Sequence, residues 1–253
     1  MNNKNNINHL GNKNKNLINK LIKLLKLITN QTWRKGLFKN IAANIELENL
    51  IKGLDIKIII DIGSNKGQFI LLTEEFFECK KVYSFEPIKE LIEKQKKFFI
   101  YNKNINFYNF ALGQKNEKKK FFLTKRKDSS SFLKINENIN NADYLVESEI
   151  NINIHCLDSI IDDQDLSDTT LVKIDVQGYE LEVLKGSLRS LKKIKYILIE
   201  VSENEIYKNQ ALSSDIINFL KQKNFSILKE NKSTKIKKTN LIQKDILLIN
   251  DSI

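Results

Sequence analysis

IIIDIGSNKGQF, residues 58–69, carries three isoleucines into an aspartate and then places two of the chain's eight glycines within five residues. A β-branched apolar run that stops at a carboxylate and a glycine turn, with a helix-like segment directly behind it, is the pattern of a buried parallel strand that delivers its backbone to a ligand. Gly63 and Gly67 are spaced G-x-x-x-G, not the G-x-G-x-x-G of dinucleotide binders, so a pyrophosphate resting on the next helix is not encoded. A smaller ligand fits better. The glycines let the backbone approach closely, and Asp61 stands where it would meet a charged amine, directly or through water.

Outward from this turn, YSFEP ends a second strand-like run on Glu86, about twenty residues on. A carboxylate there can accept both hydroxyl protons of a ribose, although an ordinary helix N-cap is the competing reading. Pro87, the chain's one proline, then starts a helix where its missing N–H costs nothing. An amino-acid end and a ribose together describe S-adenosyl-L-methionine. A third cluster, LVKIDVQGYELEVLKG (171–186), sets Lys173 and Asp175 inside an otherwise apolar strand, and charge is expensive to bury without a partner or a purpose. Gly178 permits the tight turn that follows. Glu180 falls in the first turn of the next helix, where the macrodipole favours a carboxylate in any case.

From residue 55 the chain alternates strand-like segments (56–62, 81–86, 105–110, 170–176, 195–201) with helix-like ones (67–78, 88–101, 179–191, 213–223). This alternation predicts an α/β fold on a parallel sheet. Between 115 and 156 the order weakens into a lysine-rich, hairpin-like KKKFFLT, a serine cluster and an Asn-rich loop, where acceptor contacts would vary. FSILKE and KDILLIN read as a long-looped antiparallel pair at the sheet edge.

At 253 residues the chain is long enough for one sizeable domain. The organisation predicted is a disordered polar tail over 1–16, a basic helical segment over 17–54 and the α/β domain over 55–253. The net charge of +11 is spread over tail, helices and loops without aromatic interleaving, so nucleic acid is not the expected partner. Cys79 and Cys156 are too far apart to suggest a disulfide framework or a metal cluster, and no metal is expected. No run of 18 apolar residues occurs, which predicts a cytoplasmic protein. Within 17–28, Leu17, Ile18, Leu21, Leu24, Leu25 and Ile28 share a helical face opposite most of the lysines. That face is expected to dock on the domain or a partner subunit, with peripheral contact to an anionic membrane as the alternative.

DIGSNKGQF, FEP, NFALG, DSSSF, LDSII, KIDVQGYELEVLKG, LIEVS and DILLIN follow one another in the order seen in FkbM-type methyltransferases. The resemblance runs from about residue 55 to 250, and KIDVQGYE is its most specific block. It implies a Rossmann-like, class I fold with a seven-stranded, mostly parallel sheet, an antiparallel last strand and helices on both faces. It further implies S-adenosylmethionine-dependent O-methylation of a hydroxyl on a sugar, surface glycan or other natural product.

Carried over residue by residue, the resemblance sets Asp61, Gly63, Ser64, Asn65 and Gly67 around the methionine end, Glu86 on the ribose, and Asn109 and Ala111 near adenine. Ser129–Ser131 and the Asp175 block then border the acceptor. Asp175 is the first candidate for the base that takes the hydroxyl proton, Glu180 the second, and His155, where HC departs from the family pattern, a lesser third. An RNA methyltransferase and a non-catalytic protein on the same fold remain the competing readings.

Overall fold

The computed structural model describes residues 20–139, 141–235 and 241–253, and the tail over 1–16 lies outside them. Helices α1 (20–29), α2 (Gln31–Phe38) and α3 (Glu48–Ile51) precede β1 (Ile58–Ile62), α4 (Gln68–Thr73), β2 (Lys81–Phe85), α5 (Lys89–Phe98) and β3 (Ile105–Tyr108). An insertion contributes β4 (Ala111–Leu112), β5 (Glu117–Thr124) and β6 (Val146–His155). The alternation resumes with α6 (Leu157–Ile160), β7 (Thr170–Ile174), α7 (Glu180–Lys185), β8 (Tyr196–Ser202) and α8 (Ser213–Lys221). The described chain closes on β9 (Phe225–Glu230), β10 (Thr234–Lys235) and β11 (Ile242–Asn250).

The main sheet runs β3-β2-β1-β7-β8-β11, with β9 and the two-residue β10 also paired to β11. Strands β1, β2, β3, β7 and β8 are mutually parallel, and β11 is antiparallel to both β8 and β9. Seven principal strands thus form a Rossmann-like sheet whose last strand is reversed. β1 lies between β2 and β7 and is buried on both faces, which is why its sequence is continuously apolar but for Asp61. The strand order turns back at β1, so the crevice beyond the carboxyl ends of β1 and β7 is the natural ligand position.

Trp33, Ile41, Leu47, Leu50 and Ile51 share one core with Ile59 and with Phe69–Leu72 of α4. Trp33 Nε1 donates to the Leu71 carbonyl at 3.2 Å. The helical segment is therefore packed into the same core as the sheet. Helix α1 does not dock on its own domain by the expected face. Its buried residue is Leu27, while Lys23 and Lys26 pair with Glu46 and Glu48 and turn the polar side inward. Leu21, Leu24, Leu25 and Ile28, the face expected to dock, are 51 %, 47 %, 61 % and 43 % exposed. Leu17 and Ile18 lie outside the described residues.

The insertion is better ordered than its sequence suggests. β6 pairs antiparallel with β5 and parallel with β4, giving a second, three-stranded sheet. The period-2 run ININI points Ile152 and Ile154 inward, where they meet Phe121, Phe132 and Tyr179. KKKFFLT finds its partner some thirty residues away rather than in a local hairpin.

Candidate functional site

Two adjoining cavities open at the carboxyl ends of the central strands, and Gly63, Asn65, Asp128, Asp175 and Gln177 line both. The first has a mainly apolar wall from Phe85, Ile88, Leu91, Leu112, Phe121 and Phe132, with Ala111 and Glu86 also facing it. The second, of about 440 Å³, is polar and lies between the β1 turn, the loops at 126–129 and 141–144, and the β8–β11 pair. Its size falls within the usual range for small-molecule sites.

The turn after β1 is built for close approach. Gly63 has φ 76°, and a Cβ there would lie 2.0 Å from the Asp175 carbonyl oxygen, so only glycine lets the ends of β1 and β7 meet. Asn65 follows in the left-handed region at φ 52°, and its Oδ1 is buried with no hydrogen-bond partner. Glu86 anchors the turn: Oε2 accepts from Asn65 N at 2.8 Å and Oε1 from Ile88 N at 2.8 Å. Burial pushes its pKa up to about 8 against the pull of those two backbone N–H groups. Ser64 lines the polar cavity and is tied to Ser84 Oγ and Gln95 Nε2, each at 2.8 Å.

Asp61 does not occupy the position expected for it. It is fully buried and lines neither cavity, and its nearest cation is the chain's own Lys173, its register partner on β7, with Nζ 3.5 Å from Oδ1. Burial raises the Asp61 carboxyl to about 6, with Lys173 opposing. Gly67 likewise lines neither cavity. Its φ of 83° starts α4, and a Cβ there would meet the Phe99 ring at 2.6 Å. Asn109 is also set back, its Nδ2 donating at 3.0 Å to the carbonyls of Glu86 and Pro87 and so fixing the loop, while Ala111 faces the first cavity.

Asp175 stands at the junction of the two cavities. Its Oδ2 faces Lys173 Nζ at 3.3 Å, and its Oδ1 accepts from Gln177 Nε2 at 2.8 Å. The lysine is thus shared by two carboxylates, and although burial works against its charge, Asp175 and Asp61 raise its pKa. Gln177, held at φ 55°, also reaches Glu200 Oε2 at 3.4 Å, and its Oε1 lies 3.0 Å from the Tyr207 hydroxyl. The serine cluster borders the same place: Ser131 Oγ donates to the Gln177 carbonyl at 2.6 Å, Ser130 lines the first cavity and Ser129 the second.

The other two candidate bases stand elsewhere. Glu180 Oε1 accepts from Val176 N at 3.2 Å and Gly178 N at 3.0 Å, so it fastens the loop at the start of α7 and lines neither cavity. His155 packs edge-on against Phe110 at 4.5 Å, also outside both. Sequence reading missed Glu200, Gln177, Asp128 and Arg126. Glu200 alone carried a signal, a carboxylate in the apolar strand YILIEVS.

The residues present suit S-adenosylmethionine. The glycine cradle and the unpartnered Asn65 Oδ1 suit its amino-acid end, Glu86 its ribose and the apolar wall its adenine.

A sheet in this order, with a glycine turn after its first strand and an acid ending its second, defines a class I methyltransferase architecture. The family model described as Methyltransferase FkbM domain matches residues 61–227. The chain belongs to that family, whose cofactor is S-adenosylmethionine.

Hexuronic acid methyltransferase AglP of Haloferax volcanii is 30 % identical over 63 residues, 24 % of this chain and 26 % of that protein. The match thus spans about a quarter of the curated relative's length. Among solved structures, Methyltransferase FkbM from Methylobacillus flagellatus KT is 16 % identical with a TM-score of 0.47, over 79 % of this chain and 45 % of that one. Magnesium protoporphyrin IX methyltransferase (ChlM) from Synechocystis PCC 6803, solved with bound SAM, is 10 % identical with a TM-score of 0.44, over 88 % and 85 %.

Proposed function

We propose that this protein transfers a methyl group from S-adenosylmethionine to a hydroxyl of a sugar or related natural product. The observation that carries this reading is Asp175, a carboxylate on the wall shared by the cofactor cleft and the polar cavity. When bound, the cofactor supplies an electrophilic methyl group. The chain's task is then to hold the acceptor oxygen in line and give its proton somewhere to go. Asp175 takes that proton, and Lys173 and Gln177, each on one of its oxygens, fix the carboxylate's orientation. Gly63 and Asn65 hold the amino-acid end of the cofactor, Glu86 the ribose and Ala111 the adenine side, with Ser64 beside them on the polar cavity's wall and Asp61, Gly67 and Asn109 supporting them from behind. The distant hexuronic acid methyltransferase favours a sugar among possible acceptors. Release of S-adenosylhomocysteine with a panel of glycans tests the reading; release with RNA alone would replace it by the nucleic-acid alternative.

The exposed face of α1 supports peripheral contact with an anionic membrane at the cytoplasmic side. Residues 20–39, over α1 and α2, hold six Lys or Arg and no Asp or Glu; Lys23 and Lys26 pair with Glu46 and Glu48, and the other four give the segment a positive charge that acidic lipid would attract. Among the described residues no helix is long and apolar enough to cross a membrane.

A further inference from the structure

The polar cavity carries a charge pattern that bears on what can enter it. Among the described residues its cations are Arg126 and Lys173, and each is already shared by two carboxylates. Arg126 Nε lies 2.7 Å from Asp128 and its Nη1 3.8 Å from Asp143, and Lys173 lies 3.3 Å from Asp175 and 3.5 Å from Asp61. Glu200 is left without an ion-pair partner among the described residues. Its Oε2 accepts instead from the amides of Gln243 at 2.8 Å and Gln177 at 3.4 Å. Burial, with Asp175 and Asp245 near it, raises the Glu200 carboxyl well above the usual carboxylate range. Among the described residues the lining thus sets Asp128, Asp143 and Asp175 against two committed cations, with Asp61 just behind the wall. Around the charges stand the amides of Asn44, Gln68, Asn141 and Gln243.

An entering carboxylate or phosphate would lose its hydration, meet no uncommitted cation among the described residues and face an excess of negative charge. Hydroxyl groups, by contrast, donate to carboxylates and exchange hydrogen bonds with amides. We propose that the acceptor group received by this cavity is an uncharged sugar ring, and that the cavity rejects uronates and phosphosugars. The inference rests on the proposed methyl transfer to a sugar and goes beyond it, since the curated relative is named for a hexuronic acid. The same negative excess suits a cationic cofactor next door.

The test uses the whole protein loaded with S-adenosylhomocysteine, with loading first measured by calorimetry. Sugar contacts are then read by saturation-transfer NMR with glycosides differing only at C6: methyl glucoside against methyl glucuronoside, and methyl galactoside against methyl galacturonoside. The expected result is binding of a neutral glycoside at least about tenfold tighter than its uronate. Asp143→Asn, at an exposed position that relieves one claim on Arg126, should narrow that gap. A uronate that binds as well as or better than its neutral partner overturns the inference. Failure of every glycoside to bind the loaded protein also overturns it while leaving the cofactor site intact, whereas failure to load defeats the methyltransferase reading first.

Discussion

The Asp175 carbonyl oxygen lies 2.0 Å from where a Gly63 Cβ would be, so the two strand ends that carry the cofactor turn and the proposed base are in van der Waals contact through backbone alone. Any side chain at 63 must push β1 and β7 apart and also adopt a left-handed φ. Gly63→Ala should therefore lower the thermal midpoint as well as abolish cofactor binding, measured by scanning calorimetry and titration on the same sample. A variant with wild-type stability and no binding would mean that the glycine serves the ligand alone.

Asp175→Asn keeps the shape of the side chain and removes its basicity. Turnover should fall by about 10² to 10⁴, the usual range for general-base catalysis, with little change in cofactor affinity. Near-normal turnover would remove Asp175 from the chemistry. Glu180→Gln should behave differently: it disturbs the acceptor of two loop N–H groups, so stability should fall first and activity follow.

Buried carboxyl groups give the protein a pH signature. Burial raises Glu86 from 4.5 to about 8, Glu180 from 4.5 to about 7, and Asp61 and Asp245 from 3.8 to about 6. Between those paired values the folded state binds more protons than the unfolded one, so this stabilisation is complete at low pH and is lost as pH rises through 6 to 8. The thermal midpoint of the cofactor-free protein should decline from pH 5 to pH 8. Glu86→Gln should flatten the decline near its upper end; a midpoint that rises over this interval contradicts the burial of these groups.

Helix α1 makes opposite predictions for its two sides. Leu21→Asp with Leu25→Asp, both on the exposed face, should abolish sedimentation with phosphatidylserine-containing vesicles and leave stability unchanged. Leu27→Ala should cost about 2 kcal/mol or more, because Leu27 is the buried residue of the helix. Equal vesicle binding by the double variant and the wild type would dismiss the membrane contact.

The central sheet was legible because β1, β2, β7 and β8 are buried on both faces and so read as apolar runs ending in chemistry-bearing residues. Glu86, Gly63, Asn65 and Asp175 stood out for the same reason, each breaking an apolar pattern at a strand end. Glu200 was harder to see, since its place beside Asp175 depends on the strand order and on Gln177 bridging the two. Arg126 and Asp128 come from the insertion, where charges are common and only the β5–β6 pairing aims them at the cavity. For Asp61, strand alternation says which face the side chain takes, and not that it lies behind the cavity walls with a lysine one strand over 3.5 Å away. For a related reason the sequence did not show that the apolar face of α1 turns away from its own domain: amphipathicity locates an apolar stripe, but Glu46 and Glu48 pair with the lysines and decide which side faces inward.

Calorimetric titration of the purified protein with S-adenosylmethionine tests the account most directly, because the cradle, the acid at Glu86 and the proposed base all presuppose that ligand. At pH 9, where Glu86 is ionised, one-to-one binding is expected, weakened by Glu86→Ala by about 1.5 to 3 kcal/mol, or roughly 10- to 150-fold, as for lost hydrogen bonds to a charged group. A protein shown by circular dichroism to be folded that gives neither heat nor a thermal shift with S-adenosylmethionine, or a Glu86→Ala variant that binds it as the wild type does, would contradict it.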